Sequence, residues 1–169
     1  MSNSSVIDLS KLPTPKVIEE LDYEVLFQEY LSDFTARDEE YDGLLESDPA
    51  IIILEVMAYR EMLVRKRINE SAKATLLAFA TGSDLDQIVA EYGVERLEGE
   101  KDDRLRMRGQ MALDGFSTAG PIDAYKFFAL SASVKVKSVD VRSDEPGKVI
   151  VTILSTEGDG TAVRRESVP

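Results

Sequence analysis

The apolar residues of this chain recur every three or four positions from residue 49 to residue 80, the spacing that places side chains on one face of an α-helix. Ser47 or Asp48 can cap such a helix, and Pro49 suits its first turn. At about 1.5 Å per residue the helix would span roughly 48 Å, and Gly82 is expected to end it. We predict that one apolar stripe forms the helical core: Ile53, Met57, Val64, Ile68, Ala72, Leu76 and Phe79.

Shorter helical patterns lie on both sides of the long one. Residues 22–36 predict a helix that Asp22 caps, and Ser83 is expected to cap a second short helix that stops at Gly93. Two further helices are predicted over residues 104–114 and 122–131, the latter beginning after Pro121. The N-terminal part of the chain, as far as residue 131, is therefore expected to be mostly helical.

The period then changes to that of a strand. β-Branched residues partly alternate with charged ones from Val134 to Arg142, and Lys148 to Leu154 forms a second strand pattern after the turn sequence SDEPGK. The two strands predict a β-hairpin, and the fold class is therefore α+β. Because a lone two-stranded hairpin is only marginally stable, either the helix at 122–131 packs on it, or another chain or a further C-terminal part completes the sheet.

These patterns divide the chain into four predicted regions. Residues 1–21 form an extended N-terminal arm, since Pro13 and Pro15 disfavour a helix. Residues 22–114 form a helical domain, residues 115–156 a small α/β region with a helix and the hairpin, and residues 157–169 an irregular tail. The arm is either a frayed terminus or a segment that crosses to a neighbouring subunit.

The composition removes most catalytic chemistry. The chain contains no cysteine and no histidine, which excludes disulfides, histidine–metal sites and Ser-His-Asp triads. The adjacent acidic pairs Glu19–Glu20 and Asp102–Asp103 point apart on a helix or strand, whereas paired catalytic carboxylates must face one cleft. We therefore predict that the protein is not an enzyme and has no catalytic residues.

Charge and motifs also exclude several ligands. The net charge of −12 disfavours nucleic acid and anionic membranes as partners. The sequence Gly158-Asp159-Gly160 lacks the spaced acids of a calcium loop and predicts a turn, and no phosphate-binding loop is present. We predict no cofactor, no metal and no small-molecule substrate. No apolar run is long enough for a membrane span and no signal peptide is evident, so a cytoplasmic protein is expected.

The charges are unevenly distributed along the chain. Residues 1–48 contain 13 acids and 3 bases, whereas residues 49–75 contain 3 acids and 5 bases, so an acidic segment and a mildly basic helix can pair within or between subunits. The arginines of the long helix are expected to pair with Glu61 and Glu70 or to anchor an interface. Arg104, Arg106 and Arg108 are expected to form a solvated face. The candidate partner interface consists of Tyr59, Arg60, Arg65, Arg67, Asn69 and Glu70.

The order of these features resembles that of a known family. The resemblance rests on the segments DLSKLPTPKVIEELDYE, AYREMLVRKRINESAKATLLAFATGSDLDQIVAEYGVERL and VKSVDVRSDEPGKVIVTILSTEGDGT. Together they are similar to the baseplate J-like proteins of contractile-tailed phages and phage-derived tail machines, over roughly residues 7–161. No single residue is diagnostic, but the ordered set is specific.

The resemblance implies an assembly role. By that resemblance the protein is a structural subunit of a tail baseplate wedge, which binds a copy of itself as a homodimer or higher oligomer and also neighbouring wedge proteins, including the small, sheath-initiating, lysozyme-like subunit. It would be made in the host cytoplasm and end in the tail baseplate. Family members usually continue beyond the Gly-Asp-Gly turn, so a C-terminally shortened or prophage-derived copy is expected. The alternative is a soluble helical interaction or regulatory module unrelated to tails, which would have no affinity for tail components.

Overall fold

A computed structural model describes residues 7–38, 40–42, 45–116 and 121–161. Its order of elements confirms the α+β fold class, with the helices first and an antiparallel hairpin last. Within these residues, a short 3₁₀ helix, Leu9–Lys11, precedes five α-helices and two β-strands. These are α1 (Tyr23–Arg37), α2 (Pro49–Ala74), α3 (Gly82–Ala90), α4 (Asp102–Gly115), α5 (Ile122–Ala132), β1 (Val136–Glu145) and β2 (Lys148–Ser155). The chain divides into two compact units, residues 13–75 and residues 1–12 with 76–169.

The first unit, residues 13–75, is built from α1 and α2. Asp22 caps α1 as predicted, because its carboxylate accepts hydrogen bonds from the Glu24 and Val25 backbone N–H groups. Asp48 caps α2 in the same way, and Pro49 occupies the first turn, where a missing N–H has no cost. Both helix starts therefore follow from residues next to them in the sequence.

The prediction that one helix runs from residue 49 to residue 80 is wrong at its C-terminal end. α2 ends at Ala74, so it spans about 39 Å. Gly82 does not end α2; it begins α3 with a φ of +52°. Between the two helices Ala80 enters the core of the second unit, where it is almost fully buried and where Leu77 packs against the same cluster. Burial of these two side chains against α3 and α4 overrides the continued helical pattern.

The predicted core stripe of α2 is also wrong. Ile53, Val64 and Ile68 are exposed by 59%, 59% and 55%, and Met57 is exposed as well. The buried apolar side chains of α2 are those of Ile51, Leu54 and Ala58. The N-terminal half of α2 is apolar on nearly every side, so periodicity alone does not distinguish the face that packs against α1 from the opposite face.

The second unit is organised around α4. One core cluster contains Ala80, Leu85, Val89, Val94, Leu105 and Ala112, and a second contains Met111, Leu130 and Val136. Gly109 of α4 packs against α3, because a Cβ atom added there would be 2.8 Å from Val89 Cγ1. The helix predicted over residues 104–114 is confirmed as α4. Its Gly109 allows α3 to pack closely against it.

The predicted hairpin is present and packs on a helix. β1 and β2 pair antiparallel, with Val141 opposite Val151, and Pro146-Gly147 forms the two-residue turn. Gly147 has a φ of +78°, a conformation that glycine adopts without strain. Leu130 of α5 and Val136 of β1 share a core cluster, so α5 covers part of the hairpin as one of the two alternatives predicted. Among the described helices, none is long and apolar enough to cross a membrane.

Candidate protein interface

The exposed side of α2 is the candidate interaction surface of the first unit. We call it the outer face. Consecutive residues on an α-helix are about 100° apart, so the residues of this face lie opposite Ile51, Leu54 and Ala58. The outer face consists of Ile53, Val56, Met57, Arg60, Leu63, Val64, Arg67 and Ile68, all of which are exposed. Six exposed apolar side chains with two arginines among them are unusual for a surface that stays in contact with water, but typical of protein interfaces.

The predicted interface residues fall into two groups. Tyr59, Arg60, Arg67 and Glu70 are exposed, and Arg60 and Arg67 lie seven positions apart within the outer face. Within the described residues, no salt bridge joins the guanidinium group of either arginine to a carboxylate. Their charges are therefore available to a partner, together with the apolar side chains between them.

Arg65 belongs to the second group, whose members bind within the unit. Its Nε donates to Glu61 Oε1 at 2.7 Å, and its Nη1 lies 3.4 Å from Glu19 Oε2. The Tyr30 hydroxyl also donates to Glu61. The Tyr30 hydrogen bond and then the Arg65 guanidinium hold the pKa of the Glu61 carboxyl below its ordinary value. The predicted pairing of an α2 arginine with Glu61 is thus confirmed. The hydrogen bond from Tyr30 to Glu61 links α1 to α2.

Asn69 likewise binds inside the unit. Its side chain is buried, its Oδ1 accepts from the Glu19 backbone N–H at 3.1 Å, and its Nδ2 donates to the Glu19 carbonyl oxygen at 2.9 Å. The side-chain amide therefore satisfies both backbone polar groups of one residue, as a neighbouring strand would. Asn69 holds the extended segment before α1 along α2.

The second unit contains a buried ion cluster that the sequence patterns did not indicate. Glu100 has a fully buried side chain, and Arg108 Nη1 donates to its Oε2 at 2.6 Å. Arg108 also donates to the Glu95 carbonyl oxygen and to Ser131 Oγ, each at 3.1 Å. Arg104 Nε lies 3.2 Å from Glu100 Oε1, but the two atoms are too poorly aligned for a hydrogen bond.

The other two arginines of α4 bind backbone carbonyl groups rather than water. Arg104 Nη2 donates to the Leu130 and Ser133 carbonyl oxygens at 2.7 and 2.8 Å. Arg106 donates to the Leu77 and Ala80 carbonyl oxygens, each at 2.8 Å. The prediction of a solvated arginine face is therefore wrong. A planar guanidinium group has several N–H donors, so it can satisfy backbone carbonyl groups that side chains nearby in sequence do not reach. The one indication in the sequence was Glu100, which lies four residues before Arg104 at the spacing of a helical ion pair.

Asp102 performs the capping role that the pattern assigned to Ser83. Its Oδ2 accepts from the Gly82 backbone N–H at 3.0 Å at the start of α3, whereas Ser83 lies inside that helix. Arg96 joins Asp102 to Asp86, with 2.7 Å to each carboxylate. The Gly82 N–H and then Arg96 lower the pKa of the Asp102 carboxyl. Asp102 therefore positions the start of α3 while its side chain stays partly exposed.

Several acidic side chains of the described residues take part in helix positioning and turns. The described residues contain no group of three acidic side chains arranged to hold a metal ion. The predicted Gly-Asp-Gly turn is confirmed, because Asp159 Oδ1 accepts from the Thr161 backbone N–H at 2.9 Å within it. The Glu100 and Asp102 carboxylates are bound to Arg108 and Arg96, respectively.

Comparison with known proteins agrees with this description. Residues 46–103 match the Baseplate J-like N-terminal domain, a region that includes all of α2 and α3. The chain is also similar to Baseplate protein J of Escherichia phage P2, with 36% identity over 179 aligned positions. The alignment includes 93% of this chain and 59% of the relative, so the chain spans less than two thirds of that protein's length.

Proposed function

Because the chain belongs to the baseplate J-like family, we propose that it is a structural subunit of a contractile tail baseplate that acts by binding other proteins. The proposal rests on one observation above all: the outer face of α2 is apolar, exposed and lies within the matched domain. Exposure of this apolar surface to water is unfavourable in free energy, and burial against a partner protein removes that penalty.

The surface fits a helical partner. Apolar side chains at Ile53, Val56 and Val64 follow the three- and four-residue spacing of an outward stripe, the pattern by which one helix packs into the groove of another. Arg60 and Arg67 lie one heptad apart beside that stripe, where they can bind carboxylates of the partner. The partners are neighbouring baseplate proteins and a second copy of this chain, in the tail baseplate after assembly in the host cytoplasm.

We propose a smaller set of contact residues than the sequence predicted. Tyr59, Arg60, Arg67 and Glu70 remain as proposed contacts because their side chains are exposed. Arg65 and Asn69 act instead by holding Glu19 and Glu61 within the unit, so their substitution would affect the partner only through the shape of α2.

The role is tested by immunogold electron microscopy on tail particles from an induced lysate of the source organism, with an antibody raised against this chain. Label at one end of contractile tails is the expected result. Tails without label, together with free protein in solution, would contradict the baseplate role and favour a helical module unrelated to tails.

The surface is tested separately by co-purification of tail proteins with tagged variants. Arg67→Glu combined with Val64→Glu should reduce recovery of bound tail proteins by about tenfold or more, since interface anchors dominate binding energies. Lys66→Glu is the matched control: Lys66 is exposed and adjacent in sequence, but it points about 100° away from Arg67. If the double variant and Lys66→Glu recover equal amounts of tail proteins, the outer face is not the contact surface.

A further inference from the structure

Arg60 lies in the middle of the apolar outer face of α2. The side chains three and four positions away from it, in both directions, lie next to it on the helix surface. All four of these neighbours are apolar and exposed. Their exposed fractions are 55%, 45%, 38% and 59% for Val56, Met57, Leu63 and Val64. A partner that buries these four side chains therefore also removes the Arg60 guanidinium from water.

The Arg60 charge has no carboxylate partner in the part of the chain that the structure describes. Of the three α2 arginines, Arg65 alone binds carboxylates there, those of Glu61 and Glu19. A guanidinium that is buried without a carboxylate is strongly unfavourable, because the protein interior does not replace the lost hydration. The protein that covers the outer face must therefore bring a carboxylate opposite Arg60.

Arg67 fixes the position of a second carboxylate. It is exposed and lies seven positions after Arg60, which is about 10.5 Å along the helix axis. Leu63 and Val64 are the exposed apolar residues between the two arginines. Two turns of a partner helix have nearly the same length, so carboxylates seven residues apart on that helix can meet both arginines.

The described helices of this chain do not provide such a surface. The outer face of a second α2 has no carboxylate, so two of these faces would bring arginines together. α1 exposes one large apolar side chain, Val25, and α3 exposes none. The acidic residues of α4 and α5 include no two that are seven positions apart. The matching helix therefore belongs to a different protein.

We propose that the outer face binds an amphipathic helix of a different protein, whose apolar stripe carries two carboxylates seven residues apart, opposite Arg60 and Arg67. The apolar side chains supply the buried area, and the two ion pairs fix the register of one helix on the other. This inference rests on the proposed function, because it identifies the class of partner for the surface described there. A second copy of the chain does not bind at this face.

Fluorescence anisotropy with three synthetic helical peptides tests the partner chemistry. The peptides share one leucine stripe and differ at two positions seven residues apart, which are both glutamate, both glutamine or both lysine. The full chain should bind the glutamate peptide about tenfold or more tightly than the glutamine peptide, and the lysine peptide least. Equal binding of the glutamate and glutamine peptides, or no binding of any peptide, would overturn the proposal.

Substitution of both arginines assigns the preference to the proposed contact. Arg60→Leu with Arg67→Leu should bind the glutamate peptide no more tightly than the glutamine peptide, because the buried carboxylates have lost their cations. Lys66→Leu with Lys73→Leu is the matched control and should keep the preference. Lys66 and Lys73 are also exposed and seven positions apart, but they point about 120° away from the two arginines. Circular dichroism checks that both variants fold, and a preference that survives loss of the arginines would contradict the assignment.

Sedimentation velocity distinguishes a different protein from a second copy as the occupant. Arg60→Leu with Arg67→Leu leaves the outer face entirely apolar, so this variant should self-associate at least as strongly as the original chain. Weaker self-association would show that the two arginines contact a second copy, and the proposal would then be wrong.

The immunogold experiment keeps this inference separate from the baseplate role. Labelled tails, together with peptides that bind without a charge preference, would overturn the partner class and leave the baseplate role intact. Unlabelled tails, together with a clear preference for the glutamate peptide, would contradict the baseplate role and leave the chemistry of the outer face intact.

Discussion

The buried pair of Arg108 and Glu100 supports a quantitative prediction about the second unit. Arg108→Met replaces the guanidinium with an apolar side chain of similar length while leaving the Glu100 carboxylate in place. That carboxylate is fully buried, and it would keep one hydrogen bond, from the Leu97 backbone N–H at 3.0 Å. We expect a large loss of stability, because a buried charge without a well-aligned partner is strongly unfavourable.

The magnitude follows from the contacts that are lost. Removing one member of a buried ion pair costs about 3–5 kcal/mol. Arg104 remains 3.2 Å from the other oxygen of Glu100, which compensates part of the charge and places the expected loss near the lower limit, about 3 kcal/mol. Since a domain is stabilised by only about 5–15 kcal/mol, this loss is a large fraction of the total.

Urea unfolding followed by far-ultraviolet circular dichroism measures the change. The midpoint should fall with little change in the slope of free energy against urea, as expected when stability changes but the exposed surface does not. Arg142→Met is the matched control: it removes an exposed arginine of β1 that lies 3.7 Å from Asp144, and its cost should stay below about 0.5 kcal/mol.

A double substitution separates the buried charge from lost packing. Glu100→Gln together with Arg108→Met removes the charge that Arg108 compensates, so the double variant should be more stable than Arg108→Met alone. If Arg108→Met and Arg142→Met have equal free energies of unfolding, or if the double variant is no better than the single one, the reasoning about an uncompensated carboxylate is wrong.

Three further predictions concern single positions. Gly109→Ala should destabilise the second unit by about 1–3 kcal/mol despite the higher helix propensity of alanine, because the new Cβ meets Val89 at 2.8 Å; thermal unfolding measures it. Asp102→Asn should lower the free energy of unfolding by about 1 kcal/mol at neutral pH. Since the folded-state pKa of Asp102 is lowered, its contribution is present above the ordinary carboxyl pKa and disappears as the pH falls through the folded value, so urea midpoints of the two proteins should converge in acid. Asn69→Leu should expose the segment before α1 to limited proteolysis, while Glu70→Leu should not.

Local signals in the sequence correctly predicted several elements. Asp22 and Asp48 each cap a helix whose first N–H groups lie two or three residues away. The Pro146-Gly147 turn and the change from helical to strand period likewise depend on neighbouring residues. Each interaction is complete within a few positions, so the residues that cause it are visible together in the sequence.

The candidate site was predicted only in part for the same reason. Arg60 and Arg67 are exposed as an interface requires, but Asn69 binds Glu19, fifty positions away in the sequence. The face of α2 that is buried depends on where α1 packs, and the apolar pattern of α2 is compatible with more than one choice. Periodicity identifies a helix but does not identify its inner side when most sides are apolar.

The sequence by itself therefore determined the fold class, the starts of α1 and α2, the hairpin and the family resemblance, because these depend on local chemistry and on the order of segments. The tertiary structure decided the end of α2 at Ala74, the exposed outer face and the roles of the α4 arginines. Those features depend on partners far apart in the chain: Arg104 donates to the Leu130 carbonyl oxygen 26 residues away. A side chain whose partner is brought close only by folding has no signature in the pattern around it.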